Sequence, residues 1–258
     1  MFSYPQKLRA LISLGFLTLD KSFLLADLPR LSDTFIQLGL VNNAEHTAME
    51  TMELIGEYPA ILRQLFFIYI VKGNTMAAKV YLNALSKDFV YGKWAKRYLR
   101  NLEEDPLMST DKEISDLRSV MVDTDHVGSF TFEGILQSLM DNKKNRMAFE
   151  YLMAYYLLSM QIEKIVQNIH HFEDFNYSAI PRHYEEAIII YTYANKTGEK
   201  VNLNDRKISP ETVQNFNRFF NILKSYNWNK QLAINSLSRD YSDSYFFYYT
   251  FGFSGVRK

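Results

Sequence analysis

Histidines are the residues of this chain best suited to bind a metal or to transfer a proton, but their spacing forms no metal site. A zinc site on one helix face needs a spacing such as His-x3-His, and no pair of histidines has it. His170 and His171 are adjacent, so on a helix their side chains point about 100° apart and cannot easily share an ion. We therefore predict structural or surface histidines, with no metal or cofactor bound. The histidines are His46, His126, His170, His171 and His183.

Carboxylates occur in three groups that could act as general acid and base if the fold set them at a suitable separation. These groups are Glu185-Glu186, Glu103-Glu104-Asp105, and Asp240 with Asp243. Adjacency in sequence does not provide that separation, and the simpler interpretation is a solvated helix face or helix end. The chain has no cysteine, which excludes a thiol nucleophile and a cysteine zinc site. Since phosphate-loop and nucleophile-elbow motifs are also absent, we predict a protein that is not an enzyme.

One segment combines basic and aromatic residues and predicts a helix with a cationic face. Lys93, Arg97 and Arg100 follow one another at i, i+4 and i+7 on that face. Trp94 and Tyr98 fall on another face. The three cations are candidate partner-binding residues, because such a face can hold an acidic peptide or a phosphate. The alternative is the ordinary solvated side of a helix whose aromatic residues lie in the core.

The chain closes on a run of aromatic residues between Asp243 and Gly252, six of them in seven positions. One interpretation is an exposed patch that contacts a partner, a sugar or a membrane interface. Its candidate partner-binding residues are Tyr245, Tyr248 and Tyr249. The other is a terminal helix wedged between other helices, with Gly252 as its C-terminal stop.

Composition narrows the possible partners. Lys plus Arg equals Asp plus Glu, at 29 each, so no overall field favours nucleic acid, and we predict no nucleic acid partner. No secretory signal is visible, and the most apolar early stretch, residues 10–31, is interrupted by four charged residues. It therefore falls short of a membrane span. The sequence does not indicate the cellular compartment.

The helices that position these residues are predicted from a sequence repeat with a period of 34 residues. Gly39 and Gly73 are 34 apart, and so are Ala44 and Ala78. A small residue five positions after a glycine, at this period, is typical of stacked helix–turn–helix repeats. A third match begins near Asn145, with Phe149, Leu152, Tyr156, Ile165 and Ile169 at the positions of large residues and Met160 in place of the turn glycine. No repeat is recognisable in the C-terminal helices.

Almost every segment predicts helix, because the chain has only 6 prolines and 10 glycines, mostly at plausible helix ends. Further helix starts are the capping box Thr110-x-x-Glu113 and the sequence Ser209-Pro210-Glu211. The predicted helices include 4–16, 28–38, 42–54, 59–72, 75–85, 91–102, 129–140, 181–194 and 229–251.

The repeat residues resemble the tetratricopeptide family, which implies antiparallel helix pairs in a superhelix with a concave binding face. We expect an all-α fold of about a dozen helices in a right-handed α-α superhelix, a tetratricopeptide-like solenoid. Residues 1–104 are expected to form tetratricopeptide-like repeats. Residues 105–258 are expected to form a helical region with one degenerate repeat, continuous with the first, and Pro106 is the candidate hinge.

Three further sequence segments resemble those of an uncharacterised bacterial family found in Gram-negative gut anaerobes. They are Tyr91-Gly92-Lys93-Trp94-Ala95, the stretch from Asn145 to Leu158, and the stretch from Asp243 to Tyr249. The resemblance is to the soluble C-terminal region of that family, and it implies a tail that follows many membrane helices. It implies no activity and no site residues.

Together these observations predict a non-catalytic protein–protein interaction scaffold. Its expected partner is another protein or the chain's own membrane region, if it is the soluble tail of a bacterial membrane protein. A glycan-binding or glycan-processing domain, using aromatic residues and carboxylates, is the alternative. A membrane-surface module using the closing aromatic residues is a third possibility.

Overall fold

The computed structural model describes residues 21–122, 131–195 and 201–252. In these residues the chain is all-α, with twelve helices of seven residues or more and no strand. The predicted helix 4–16 lies outside the described residues, as do His126 and Ser129. The longer helices are α1 (Lys21–Gln37), α2 (Val41–Ile55), α3 (Pro59–Val71), α4 (Thr75–Leu85), α5 (Gly92–Glu104), α6 (Lys112–Val120), α7 (Phe132–Leu139), α8 (Arg146–Leu158), α10 (Arg182–Ala194), α11 (Pro210–Ser225), α12 (Lys230–Tyr241) and α13 (Tyr245–Phe251), with the short α9 (Ile162–Gln167) and a 3₁₀ turn at Ile169–Phe172.

The helices group into two compact units, Met1–Tyr151 and Leu152–Lys258, and the division falls inside α8. In the first unit α1 packs on α2, α3 on α4 and α4 on α5, and α3 also contacts α2 and α6. In the second unit α10 packs on α9, α11 and α13, while α12 lies against α11 and α13. Helices that are neighbours in sequence therefore pack as pairs.

The turns of the 34-residue repeat share one backbone geometry. Gly39 and Gly73 have φ of 83° and 76°, in the left-handed region that glycine enters without steric cost. The next amide in each case, of Leu40 and of Asn74, donates to the carbonyl oxygen five residues earlier, at 2.9 and 2.8 Å. This pattern closes the preceding helix and redirects the chain into the next.

The same turn occurs three times more without a glycine in the described residues. Met160 has φ of 58°, and the amide of Gln161 donates to the carbonyl of Tyr156 at 2.9 Å. Asn227 has φ of 51°, and the amide of Trp228 donates to the carbonyl of Leu223 at 3.0 Å. The third such turn is at Asn176, which has φ of 55°, and the amide of Tyr177 donates to the carbonyl of Phe172 at 2.9 Å. The turn at Asn227 lies among the C-terminal helices, where the sequence showed no repeat.

Burial confirms which residues the repeat places in the core. Ala44 and Ala78 are fully buried, which lets their helices approach closely. The large residues predicted for the third match are buried as well; they are Phe149, Leu152, Tyr156, Ile165 and Ile169.

Four helix predictions are wrong in part. The helix predicted over 28–38 begins at Lys21, and the helix predicted over 129–140 has Thr131 as its N-cap. The capping box does not begin at Thr110, because Asp111 is the N-cap of α6 and its carboxylate accepts from the amide of Ile114 at 3.1 Å. The predicted last helix, 229–251, is two helices. Ser244 interrupts it as the N-cap of α13, and its hydroxyl accepts from the amide of Phe247 at 3.2 Å.

Candidate functional site

Two adjacent glutamates on the first turns of α10 are buried in the second unit. Glu185 is 6% exposed and Glu186 is 2% exposed. A carboxylate is costly to bury unless it is hydrogen-bonded, so the partners of these two side chains determine what they do.

Glu185 binds the beginning of α11. Its Oε1 accepts from the amide of Ser209, the N-cap of that helix, at 2.9 Å. Its Oε2 accepts from the hydroxyl of Thr212 at 2.5 Å. Since the amides of a first helical turn lack partners within the helix, Glu185 satisfies one of them and fixes α11 against α10.

Glu186 binds the beginning of α13 in the same way. Its Oε2 accepts from the amide of Tyr245, the first residue of that helix, at 2.6 Å. Its Oε1 accepts from Nε of Arg182 at 2.9 Å, and Nδ1 of His183 lies 3.2 Å from Oε2. Adjacent residues on α10 thus anchor two different helices.

Arg182 extends this network to the loop before α13. Its two terminal nitrogens donate to the two carboxylate oxygens of Asp243, at 3.1 and 3.3 Å. These hydrogen bonds lower the pKa of Asp243 below its usual range, and they are the largest cause of the raised pKa of Arg182. The pair is held in the fork geometry typical of arginine with a carboxylate.

The anchored helices border a cleft of about 980 Å³. Five carboxylates and two arginines line it, which gives the lining a net formal charge of −3. The remaining lining is mainly polar and includes Tyr241, and the buried ring of Phe246 borders it. The charged lining residues are Arg182, Glu185, Glu186, Glu211, Arg218, Asp240 and Asp243.

This cleft unites two of the three predicted carboxylate groups. Glu185-Glu186 and the pair of Asp240 with Asp243 all line it. The third group lies in the first unit at the end of α5, where the carboxylate of Asp105 accepts from Ser109 and from the amide of Thr110. Sequence adjacency did not reveal Glu211 or Arg218 as cleft residues. They reach the cleft only because α10, α11, α12 and α13 pack together.

The predicted cationic face of α5 lies in the first unit and is exposed. Lys93, Arg97 and Arg100 all have exposed side chains. Lys93 and Arg100, with Lys96 and Leu99, line a shallow depression of about 590 Å³, whereas the guanidinium of Arg97 lies over the ring of Tyr98 at 5.4 Å.

The aromatic side of α5 packs inward. Tyr98 is buried, its ring lies edge-on to Phe66 at 5.3 Å, and its hydroxyl donates to Asp111 at 3.0 Å. Burial, reinforced by the hydrogen bond to Asp111, raises the pKa of Tyr98 to about 12. Trp94 is half-buried against the same cluster.

The closing aromatic residues are taken up largely by packing in the second unit. Tyr245 is 4% exposed, and its hydroxyl donates to the carbonyl of Leu157 at 2.9 Å. Tyr248 is half-buried and donates to the carbonyl of Leu158 at 2.6 Å. Both bonds satisfy carbonyls at the end of α8. Tyr249 is half-buried, with its ring 6.0 Å from that of Tyr245.

Gly252 ends this helix with φ of 66°, as the packed-helix interpretation predicted.

Comparison with family models matches residues 1–252 to a family of unknown function, DUF6057. The chain belongs to the DUF6057 family. No curated protein and no solved structure matches it. The family match covers both units, so the cleft and the cationic face both lie within the DUF6057 region.

Histidines of this DUF6057 chain pair with residues three or four positions away in the sequence. His171 lies 2.7 Å from Asp174 and His46 lies 3.2 Å from Glu50. The ring centroids of His170 and His171 are 4.0 Å apart, which is closer than adjacent positions on a helix suggested. Nδ1 of His170 faces the carbonyl of Gln167. Among the described residues, no three His, Asp or Glu side chains are grouped so as to hold a metal ion.

In residues 21–122, 131–195 and 201–252, none of the helices combines the length and the apolar character needed to cross a bilayer.

Proposed function

We propose that this chain is a non-catalytic binding module whose second unit holds a basic segment of a partner protein in the cleft between α10, α11 and α12. The net formal charge of −3 on the cleft lining is the observation that carries the proposal. A concave site with a net negative charge attracts positively charged ligands and disfavours negatively charged ones. We further propose that the helix pairs stack as a right-handed, tetratricopeptide-like superhelix, which the five recurring turns support.

Binding rather than catalysis is supported by the partners of the two buried carboxylates. Glu185 and Glu186 would be the natural acid and base, since burial is what tunes such groups. Their oxygens are instead occupied by the first amides of α11 and α13 and by Arg182. A carboxylate that holds a helix end in place cannot exchange a proton with substrate without releasing that helix.

The remaining cleft charges are positioned to contact a ligand. Glu211 and Asp240 are exposed on α11 and α12, and Asp243 is exposed while bound to Arg182. Lysine or arginine side chains of a partner would pair with Glu211 and Asp240, and the amides of Asn215 and Asn221 would bind its backbone.

Fluorescence anisotropy with a labelled peptide of alternating lysine and glycine tests this proposal. The double variant Glu211→Lys with Asp240→Lys is expected to weaken binding at least about tenfold, because both attractive charges become repulsive. The matched control is Glu163→Lys, an exposed carboxylate of the second unit that does not line the cleft, and it should bind like the unmodified chain. Equal loss in the control, or binding that survives the double variant, would overturn the proposal.

Glycan binding is the second candidate, favoured by the grouping of Asp240, Tyr241 and Asn215 in the same cleft. Carboxylate, phenol and amide groups are the usual hydrogen-bonding partners of sugar hydroxyls. A screen against neutral oligosaccharides distinguishes the candidates, since neutral ligands should be indifferent to salt, whereas peptide binding weakens as salt is raised.

The resemblance to the soluble region of bacterial membrane proteins supports a further proposal, that this module serves a membrane-anchored protein. Fractionation of native cells tests it: recovery of the full-length product in the membrane pellet is expected, and recovery only in the supernatant would contradict it.

A further inference from the structure

The turn between α4 and α5 carries apolar side chains directly into solvent. Phe89 is fully exposed and Val90 is 76% exposed. Large apolar residues seldom lie side by side and so exposed on a surface that contacts only water. Lys87 and Lys93 flank this pair in the sequence.

Local hydrogen bonds hold this turn in place. The carboxylate of Asp88 accepts from the amides of Val90 and Tyr91, at 2.9 and 2.7 Å. The amide of Gly92 donates to the carbonyl of Asp88 at 2.9 Å. The outward position of Phe89 is therefore set by a closed turn. The only acidic side chain of the turn is directed at its own backbone.

The sequence on both sides of the turn is strongly cationic, although the whole chain is neutral. Residues 79–100 contain six basic residues and one acidic residue, Asp88. All six basic side chains are exposed, and no carboxylate of the described residues is found in ion-pair contact with them. The six are Lys79, Lys87, Lys93, Lys96, Arg97 and Arg100.

We propose that this tip, Phe89 and Val90 together with the six exposed cations of residues 79–100, docks the first unit onto an anionic phospholipid surface. Apolar side chains can enter the interfacial region, while lysine and arginine remain at the level of the lipid phosphates. Each cation near an anionic surface strengthens the binding, and insertion of the two apolar side chains strengthens it further. Because the two side chains at the tip are aliphatic and aromatic, they favour contact with lipid hydrocarbon over contact with the phosphates of a nucleic acid. The membrane contact is thus separate from the closing aromatic residues.

Vesicle co-sedimentation of the full chain tests the proposal, with phosphatidylcholine vesicles containing about one third phosphatidylserine as an anionic surface. Binding is expected to these vesicles and not to pure phosphatidylcholine. It should fall when salt is raised from about 0.1 M to about 1 M, because the Debye length shortens from about 10 to about 3 Å.

Two variants separate the apolar and electrostatic contributions. Phe89→Ser with Val90→Ser, and Lys93→Glu with Arg100→Glu, should each weaken vesicle binding at least about tenfold. Leu232→Ser is the matched control, since Leu232 is 60% exposed in the second unit, and it should bind like the unmodified chain. Circular dichroism verifies that each variant is folded, which is expected because all the altered side chains are exposed.

A site-specific probe reports insertion directly. Because the chain has no cysteine, Phe89→Cys and Leu232→Cys each accept a single environment-sensitive dye. The dye at position 89 should shift to the blue with anionic vesicles, and the dye at position 232 should not. The proposal is overturned if position 89 stays in water, if the serine variant binds vesicles normally, or if the cations bind single-stranded RNA while vesicles are ignored.

Discussion

Single residues in the left-handed backbone region determine where helix pairs of this chain turn. Gly39 and Gly73 occupy equivalent turns, but their surroundings differ. A Cβ at position 39 would lie 1.9 Å from the carbonyl oxygen of Val120, whereas a Cβ at position 73 would meet nothing within 4 Å. Gly39 is thus required by both its conformation and its packing, and Gly73 by its conformation alone.

Alanine at these two positions should therefore have unequal effects. We expect Gly73→Ala to cost about 1 kcal/mol of unfolding free energy, which is the strain of a left-handed alanine. Gly39→Ala should cost about 3 kcal/mol or more, because the backbone near Val120 must also move. Urea unfolding of both variants measures the difference, and equal losses would contradict this view of the turn.

Glu45 of α2 contributes a second residue-level test, through pH. Tyr69 of α3 and Lys72, the C-cap of that helix, both donate to its carboxylate, Tyr69 at 2.5 Å. Burial alone would raise the pKa of Glu45, but these partners lower it below its usual value of 4.5. A folded-state pKa below the unfolded one means that the stabilisation is present above pH 4.5 and is lost as the pH falls through the folded value.

Glu45→Gln should therefore reduce stability by about 1 kcal/mol at neutral pH. The difference in melting temperature from the unmodified chain should shrink as the pH is lowered below 4.5. Thermal unfolding followed by circular dichroism across this range measures it. A difference that stays constant with pH would show that the carboxylate charge does not matter.

At the level of helices, α10 organises the second unit through its two buried glutamates. Glu186→Ala would leave the amide of Tyr245 without its acceptor and remove one partner of Arg182, so we expect a loss of about 3 kcal/mol. Asp240→Asn, an exposed change in the same cleft, should stay within about 0.5 kcal/mol. Urea unfolding distinguishes the two variants. A small loss for Glu186→Ala would mean that α13 does not depend on this anchor.

Helices were well predicted where a local signal marks their ends. Gly73 and Asn74 set the start of α4 at Thr75, and Ser209 with Pro210 set the start of α11, as expected. Met160 and Asn227 form the same turn without glycine, so the repeat period could not be followed through them. The break at Ser244 was missed although serine is a favoured N-cap residue and Ser244 caps α13. The contact that also fixes the break joins the amide of Tyr245 to Glu186, which lies 59 residues earlier. That contact is tertiary and has no local signature.

At the level of the whole molecule, the neutral total charge conceals a local separation of charge. The cleft lining of the second unit has a net formal charge of −3, and residues 79–100 of the first unit carry six basic residues against one acidic residue. The total of 29 basic and 29 acidic residues gave no indication of either. The basic stretch is visible along the sequence, but the exposure of Phe89 is not, because phenylalanine is usually buried. The cleft depends on four helices meeting and could not be predicted from spacing.

The most direct test of the binding module is an amide NMR titration of the full-length ¹⁵N-labelled chain with the lysine–glycine peptide. We predict saturable shifts confined to residues 182–186, 209–222 and 240–246. The same titration of the Glu211→Lys and Asp240→Lys double variant should leave those resonances unmoved. Shifts that persist in the double variant, or that fall mainly on residues 41–104, would contradict the assignment of the cleft as the binding site.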